Sequence, residues 1–333
     1  MKKIITILLV LGLFGTASAE FSKVGSAGAQ FLKIGVGSKY QGMGEAASAI
    51  VNDVYSTYWN PAGLVGIENA TVGFTNVNYI LDINLNYVAF AKRFEGVGVF
   101  GLSATVLSMN AQEITDFEHQ DGTGRTYDAS SYCLGLTYAR QLTTKFAFGG
   151  TVKYVAEKIH LEEANGVAFD FGTILNTGFR SLRMGMAISN MGQEMQFSGP
   201  DLEVGYDPEN GDGANNPVGA YLKTTPYDLP LVFRIGLAYD VEIGPSTSVT
   251  FATELKHPSD NVEQGAFGAE VGFMEKYFLR GGYKINYDEE SFSFGGGLST
   301  SVTNSSRLVI DYSWQDFGRL ESTQRFSIGF LFD

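Results

Sequence analysis

Few residues in this chain have the types and spacing that chemistry requires. Gly96, Gly98 and Gly101 fit the dinucleotide-binding pattern G-x-G-x-x-G. That pattern must open a helix, whereas these glycines lead into an alternating run typical of a strand. Cys133 is a single cysteine, which excludes a disulfide framework, and a lone buried cysteine more often packs than reacts. Neither feature predicts a catalytic site.

Metal-binding residues are equally sparse. The three histidines, whose spacing matches no metal-binding pair, are His119, His160 and His257. Two acidic segments lack the D-x-[DN]-x-[DN]-G order of a calcium loop. Their acids are Asp116, Glu118 and Asp121 in the first segment, and Asp207, Glu209 and Asp212 in the second. We therefore expect no metal, no other cofactor and no enzymatic activity.

The composition indicates an all-β chain. Of 333 residues, 18% are charged, against roughly 25% in soluble domains. The chain has 41 glycines, 25 phenylalanines and 17 tyrosines but only 8 prolines, and so many aromatics exclude a disordered chain. The net charge of −13 gives no electrostatic basis for a nucleic-acid partner.

The first nineteen residues have the order of a secretory signal peptide. Lys2 and Lys3 precede an apolar run over 4–14, and Ala17-Ser18-Ala19 supplies small residues for cleavage after Ala19. Elsewhere no window reaches the ~18 consecutive apolar residues of a transmembrane helix. The mature chain is therefore expected either to be released from the cytoplasm or to span a membrane as a closed barrel.

Bulky apolar residues alternate with small or charged ones along most of the chain. In one segment Leu134 and Leu136 share a face, while Cys133 and Gly135 occupy the other. In a soluble sandwich the second face would meet water, but glycine weakens strands there. In a membrane barrel the bulky face meets lipid and the small face lines the lumen. Aromatic residues near strand ends suit interfacial girdles: Tyr132, Tyr154, Tyr239, Tyr287 and Trp314.

Counting the alternating segments gives fourteen strands, an even number as in bacterial single-chain barrels. The predicted strands are 71–79, 84–94, 96–108, 130–142, 145–159, 165–177, 181–190, 231–241, 247–257, 265–274, 277–287, 291–302, 307–315 and 325–332. The long connections 109–129 and 191–230 then fall on one side, where the outer loops belong. The sequence therefore predicts a fourteen-stranded antiparallel transmembrane β-barrel over 69–333, in contact with outer-membrane lipid.

Alternation also places five cations and four acids on the inner face. These are Lys153, Asp170, Arg183, Arg234, Glu254, Glu270, Arg280, Lys284 and Asp311. The signs nearly balance, so no ring of one sign selects ions. Because an unpaired buried charge costs several kcal/mol, we expect these groups to pair with each other or to hold a segment inside the lumen.

The segment 20–68 precedes the barrel and has a different pattern. Helix-forming alanines occur within 44–51, and 60–63 has the composition of a turn. The segment is either a periplasmic linker or a partly helical plug inside the lumen, since a barrel of ~14 strands leaves an interior to fill. Small residues on both surfaces would permit close backbone packing.

Three short runs in this segment resemble the N-terminal signature of the PorV/PorQ family. They are FLKIGVG at 31–37, GMG at 42–44 and YWNPAGL at 58–64. The residues that carry the resemblance are Gly35, Gly37, Gly42, Gly44, Trp59, Asn60, Pro61 and Gly63. That family is part of the FadL-type transporter superfamily, whose members are fourteen-stranded outer-membrane barrels with a luminal N-terminal segment.

The resemblance implies two functions. PorV-like proteins serve type IX secretion as barrels that accept exported cargo proteins, and this is the favoured hypothesis. FadL-like proteins take up long-chain fatty acids or other hydrophobic molecules. A wall of glycine, serine and charges is a poor lining for a fatty acid. A third possibility is a purely structural or surface-interaction barrel.

Overall fold

The computed structural model describes residues 24–206 and 218–332, and it shows a closed barrel of fourteen antiparallel strands. We number the barrel strands β1 to β14. Their bounds are Ala70–Asn78, Asn84–Phe94, Gly98–Ser108, Ala129–Gln141, Phe146–Ile159, Glu162–Asn176, Arg183–Gly192, Val232–Glu242, Thr247–Pro258, Gln264–Phe273, Tyr277–Ile285, Phe292–Thr303, Ser306–Asp316 and Ser322–Phe332. The predicted fold class is confirmed. The predicted signal peptide and the second acidic segment lie outside the described residues.

The barrel closes between its first and last strands. β1 pairs with β14 from Ala70 opposite Phe332 to Asn78 opposite Gln324, and every other strand pairs with its sequence neighbour. Closure leaves no unpaired strand edge in the membrane. The longest connections, between β3 and β4 and between β7 and β8, both lie at the end that we call outer. They carry the short paired strands Gln112–Glu113 with Thr126–Tyr127, and Glu203–Tyr206 with Val218–Tyr221.

The strand faces are divided as the alternation predicts. Large apolar side chains such as Leu134, Leu136 and Phe267 are more than half exposed on the outside, while alanines and hydroxyl residues are buried inside. This arrangement places hydrocarbon-compatible side chains against lipid. Tyr287 departs from its predicted place in an aromatic girdle. It is partly buried at the outer end of the lumen, where the ammonium groups of Lys256 and Lys284 lie over its ring.

The N-terminal segment lies in the lumen as a plug. Its helical pieces are the 3-10 turns Gln30–Lys33 and Pro61–Gly66 and the short α-helices Ser38–Gly42 and Ser56–Trp59. The helix formers within 44–51 make turns instead. Among the described residues no helix has the length and apolarity to cross a membrane. The division of the chain at residue 69 into plug and barrel stays a prediction.

Candidate functional site

The centre of the plug is an aromatic cluster. Tyr40 and Trp59 are almost fully buried, and the Tyr58 and Trp59 rings meet edge to face with centroids 4.9 Å apart. Tyr87 of β2 joins the cluster from the barrel wall, 6.0 Å from the Tyr55 ring. Such rings bury large areas, so this cluster fills the middle of the lumen.

Glycines of the wall let the plug approach the strands. A Cβ on Gly282 of β11 would lie 2.1 Å from the Gly44 nitrogen, and one on Gly185 of β7 would lie 2.0 Å from the Ser48 oxygen. Other wall glycines whose Cβ would clash with the plug are Gly149, Gly172, Gly236 and Gly268. Glycine is required here by close backbone approach, which accounts for the glycine-rich inner face.

The plug glycines of the signature have two different roles. Gly37 and Gly44 have positive φ angles of 82° and 67°, which favour glycine. Gly35 lies beneath the Trp59 ring, and Gly63 lies against the Val51 carbonyl, where a Cβ would approach to 2.4 Å. Gly42 packs on the wall, where a Cβ would lie 3.1 Å from Gly295 Cα.

The Trp-Asn-Pro run ties the plug together. Trp59 Nε1 donates a hydrogen bond to the Val36 oxygen at 2.8 Å. Asn60 Nδ2 donates to the Ser48 oxygen at 2.7 Å, and its Oδ1 accepts from the Ala62 nitrogen at 3.2 Å. Pro61 opens the following 3-10 turn, where its missing N–H costs nothing. Asn60 therefore caps that turn and also fastens it to an earlier part of the plug.

Most of the predicted inward charges pair with each other. Lys153 Nζ lies 2.5 Å from Asp170 Oδ2, and Arg280 lies 2.5 Å from both Glu270 and Asp311. These pairs satisfy charges that burial would otherwise penalise. Arg183, near the periplasmic end, pairs instead with Asp240 at 2.9 Å.

A second group of charges holds the plug. Glu254 lies 3.6 Å from Arg234 and accepts hydrogen bonds from the backbone nitrogens of Ala47 and Ser48 at 2.9 and 2.7 Å. Lys284 Nζ lies 2.9 Å from Glu45 of the plug. The wall charges therefore fix the plug backbone at 45–48.

Several charged residues of the lumen escaped the sequence analysis, and four of them lie near its outer end. These four are Glu45, Lys256, Glu290 and Arg325. Arg325 Nε donates to the Gly35 oxygen at 3.1 Å. Alternation within the predicted strand 325–332 already places it on the inner face with Ser327, opposite Phe326.

The outer tip of the plug is fastened to the outer loops. Lys33 Nζ and Gln30 Nε2 donate to Asp260 at 2.8 and 2.7 Å. Partial burial raises the pKa of Asp260, but the hydrogen bonds from Lys33 and Gln30 and the Lys33 charge outweigh it and bring that pKa below its usual range. The backbone nitrogen of Gly28 donates to the backbone oxygen of Asp228 at 3.0 Å, and the Tyr227 ring lies against Gly28.

A β-bulge joins the wall to the longest outer loop. The register of β6 and β7 shifts between Phe169 and Phe171, and Asn190 has a positive φ of 64°. The Asn190 nitrogen donates to Asp170 Oδ1 at 2.8 Å, and its Nδ2 donates to the Pro230 oxygen at 3.0 Å. The bulge thus aims a polar side chain at the point where that loop returns to the barrel.

The residues first considered for chemistry lie apart from one another in the described part of the chain. Cys133 is buried beside the plug. Each histidine lies near one carboxylate: His119 at 2.9 Å from Asp116, His160 at 3.6 Å from Asp201 and His257 at 3.2 Å from Glu263. Residues 24–206 and 218–332 contain no group of three or more ligands arranged for a metal ion.

Comparison with solved structures reveals the same architecture. The chain is similar to the CymD monoaromatic hydrocarbon channel, with a TM-score of 0.59, 13% identity, and coverage of 90% of this chain and 98% of that one. It is similar to the Pseudomonas putida toluene transporter TodX, with a TM-score of 0.58, 12% identity, and coverage of 89% of this chain and 96% of that one. It is also similar to a Pseudomonas aeruginosa FadL homologue, with a TM-score of 0.54, 12% identity, and coverage of 90% of this chain and 98% of that one. At these identities the likeness concerns the fold.

The family model for "Type IX secretion system protein PorV" matches residues 17–210, while no curated protein matches the sequence. The match covers more than half of the chain and includes all three runs of the N-terminal signature. The family and the FadL-like fold place the protein in the outer membrane of a Gram-negative cell. The chain belongs to the PorV family of type IX secretion system proteins.

Proposed function

We propose that this chain supports type IX protein secretion as an outer-membrane barrel that receives exported proteins at the cell surface and performs no catalysis itself. The observation that carries the proposal is the family match over residues 17–210. Its partners would be secreted proteins and other components of the secretion system.

The filled lumen supports a role at the outer surface. Plug side chains such as Tyr40, Met43 and Trp59 are almost fully buried inside the barrel, so a folded protein has no path through it. The outer loops expose Phe117 at 92% and Tyr221 at 70% of their surface. Exposed apolar side chains of this kind often mark contact sites for other proteins.

A complementation experiment tests the proposal. In a strain lacking this protein, we expect exported proteins to disappear from the cell surface and the wild-type gene to restore them. A Phe117→Ser, Tyr221→Ser variant should restore export less well, because it removes apolar surface from the outer loops. The control is Phe179→Ser, which alters a similarly exposed phenylalanine on a periplasmic turn. Full export in the deletion strain would contradict the proposal.

Uptake of hydrophobic molecules is the second candidate, and the likeness to hydrocarbon channels favours it. A pocket lies between the plug and the outer ends of the strands, and most of the residues that line it are polar or charged, among them Lys256, Glu290 and Arg325. Such a lining suits a hydrocarbon poorly. We expect proteoliposomes containing the protein to take up toluene and palmitate no faster than empty liposomes. Uptake above that background would support the second candidate.

A further inference from the structure

The lipid-facing surface of the barrel is mostly apolar, but two cations lie on it near the periplasmic ends of β2 and β4. Lys92 alternates with Phe90 and Phe94 on the lipid side of β2, and Arg140 shares the lipid side of β4 with Tyr138. Cations on the lipid side of a barrel are tolerated where they reach the membrane–water interface. Both side chains therefore lie at the level of the lipid headgroups in the periplasmic leaflet.

Both cations lie at the turn between β2 and β3. Arg140 Nη2 lies 3.4 Å from the Gly96 oxygen of that turn, so its guanidinium reaches across β3 toward the strand of Lys92. Lys92 Nζ lies over the Phe94 ring, 5.7 Å from its centroid. Glu95 of the same turn is exposed. Among the described residues, neither cation forms an ion pair with it or with another carboxylate.

The next residue of β2 shows how a cation is used when it faces the lumen. Arg93 Nε donates to the Ile67 oxygen at 2.6 Å, and its Nη2 donates to the Val65 oxygen, both at the end of the plug. Lys92, on the opposite face, points away from those acceptors. The two lipid-side cations against the one acid of the turn leave one positive charge, which matches the single negative charge of a phosphodiester.

An apolar groove runs from Lys92 toward the middle of the membrane. Its first part has a volume of about 500 Å³ and is lined by Lys92 and six apolar side chains of β2, β3, β4 and the turn after β2. It continues as far as β6 in a second part of about 680 Å³. Ala104 of β3 forms the floor, since its neighbours on the lipid side, Val88 and Leu134, are larger.

The groove has the length of one leaflet. From Lys92 to Val88 it follows β2 for four residues, about 14 Å at ~3.4 Å per residue. Half of the ~30 Å hydrocarbon core is about 15 Å. At the headgroup end, the Phe100 ring packs between Phe94 and Tyr138, with centroids 5.7 and 5.0 Å away. The groove therefore suits an acyl chain whose headgroup lies beside the cations.

We propose that this surface binds an anionic phospholipid of the periplasmic leaflet, whose phosphate pairs with Lys92 and Arg140 and whose acyl chain lies in the groove over Ala104. Ammonium and guanidinium groups bind phosphate oxygens through charge-assisted hydrogen bonds. The lumen and the outer loops take no part in this site, so the proposal does not depend on the secretion role.

The test is native mass spectrometry of the purified protein in detergent, titrated with phosphatidylglycerol and, separately, with phosphatidylcholine of the same acyl chains. We expect phosphatidylglycerol to bind at least threefold more tightly. The double variant Lys92→Gln, Arg140→Gln should weaken its binding by about tenfold to thirtyfold, since each cation near a membrane surface contributes about fivefold. Lys276→Gln, Arg180→Gln is the control, because it removes the same two charge types from other periplasmic turns. It should bind phosphatidylglycerol as the wild type does.

A second variant tests the groove without changing any charge. Ala104→Leu fills the floor and should weaken phosphatidylglycerol at least threefold, whereas Ala269→Leu, the same change on the lipid side of β10, should not. All variants alter only exposed or lipid-facing side chains, and detergent-resistant folding verifies that each barrel is intact. No binding of phosphatidylglycerol, equal binding of phosphatidylcholine, equal loss in the two double variants, or unchanged binding by Ala104→Leu would each overturn the proposal.

Discussion

At the scale of single residues, adjacent glycines of one strand differ in what they contact, because successive residues face the plug and the lipid in turn. Gly281 and Gly282 are neighbours on β11. An added Cβ at Gly281 meets nothing within 4 Å, whereas one at Gly282 would lie 2.1 Å from the Gly44 nitrogen. The two positions therefore form a matched pair for testing the plug contact.

We predict that Gly282→Ala destabilises the protein by about 1–3 kcal/mol, the usual cost of overpacking, because the plug backbone must move. Thermal unfolding in detergent and protease sensitivity of the plug would measure the effect. Gly281→Ala should leave both unchanged. Equal behaviour of the two variants would mean that the plug does not pack on β11 as described.

Asp260 provides a pH-dependent test of the plug tip. Its pKa in the folded protein lies below the ordinary value, because hydrogen bonds from Lys33 and Gln30 and the Lys33 charge outweigh burial. Its stabilisation is therefore complete above the unfolded pKa of about 3.9 and is lost as the pH falls through the lower folded pKa. We predict that hydrogen exchange in residues 28–34 stays slow at neutral pH and rises only below about pH 4.

Asp260→Asn should speed that exchange at neutral pH, at a cost of about 1.5–3 kcal/mol for hydrogen bonds to a charged group. Asp228→Asn is the control, because Asp228 holds Gly28 through its backbone oxygen. If Asp228→Asn released the tip and Asp260→Asn did not, Asp260 would not be the anchor.

At the scale of elements, the plug is held by strands that also hold each other. Glu254 of β9 pairs with Arg234 of β8 and accepts from the Ala47 and Ser48 nitrogens. Arg234 in turn lies over the Trp59 ring, 5.5 Å from its centroid. One buried pair thus links two strands to two parts of the plug.

We predict that Glu254→Ala lowers the free energy of unfolding by about 3–5 kcal/mol, because it leaves a buried arginine without its partner. The double variant Glu254→Ala, Arg234→Met should recover part of that loss, and a double-mutant cycle measures the coupling. Additive effects of the two substitutions would show that the pair is energetically independent.

The elements also show where sequence patterns were insufficient. Alternation located all fourteen strands, because each has a lipid face and a luminal face. The helix-forming alanines within 44–51 lie in turns, and the nitrogens of Ala47 and Ser48 donate to Glu254 of the barrel wall. Lys256 lies two residues after Glu254 on the same strand, so alternation alone places it on the inner face. What its side chain contacts there depends on strand register and on the plug, which the sequence does not give.

At the scale of the whole molecule, the barrel is a closed wall around a fitted plug. We predict that the purified protein forms no ion channels in planar lipid bilayers, because the plug fills the lumen. Deletion of residues 35–66 should produce open channels if the remaining barrel inserts, which its detergent-resistant folding would verify. Channel activity of the intact protein equal to that of the deletion variant would show that the plug does not seal the lumen.

The sequence by itself determined the barrel, its strand number and its lipid-facing surface, since strand periodicity and the demand of hydrocarbon for apolar side chains are local properties. The signature runs in the plug indicated the family. Only the tertiary structure decided which charges pair and which glycines touch the plug. These are contacts between residues far apart in the chain, and they depend on strand register and on the path of the plug through the lumen.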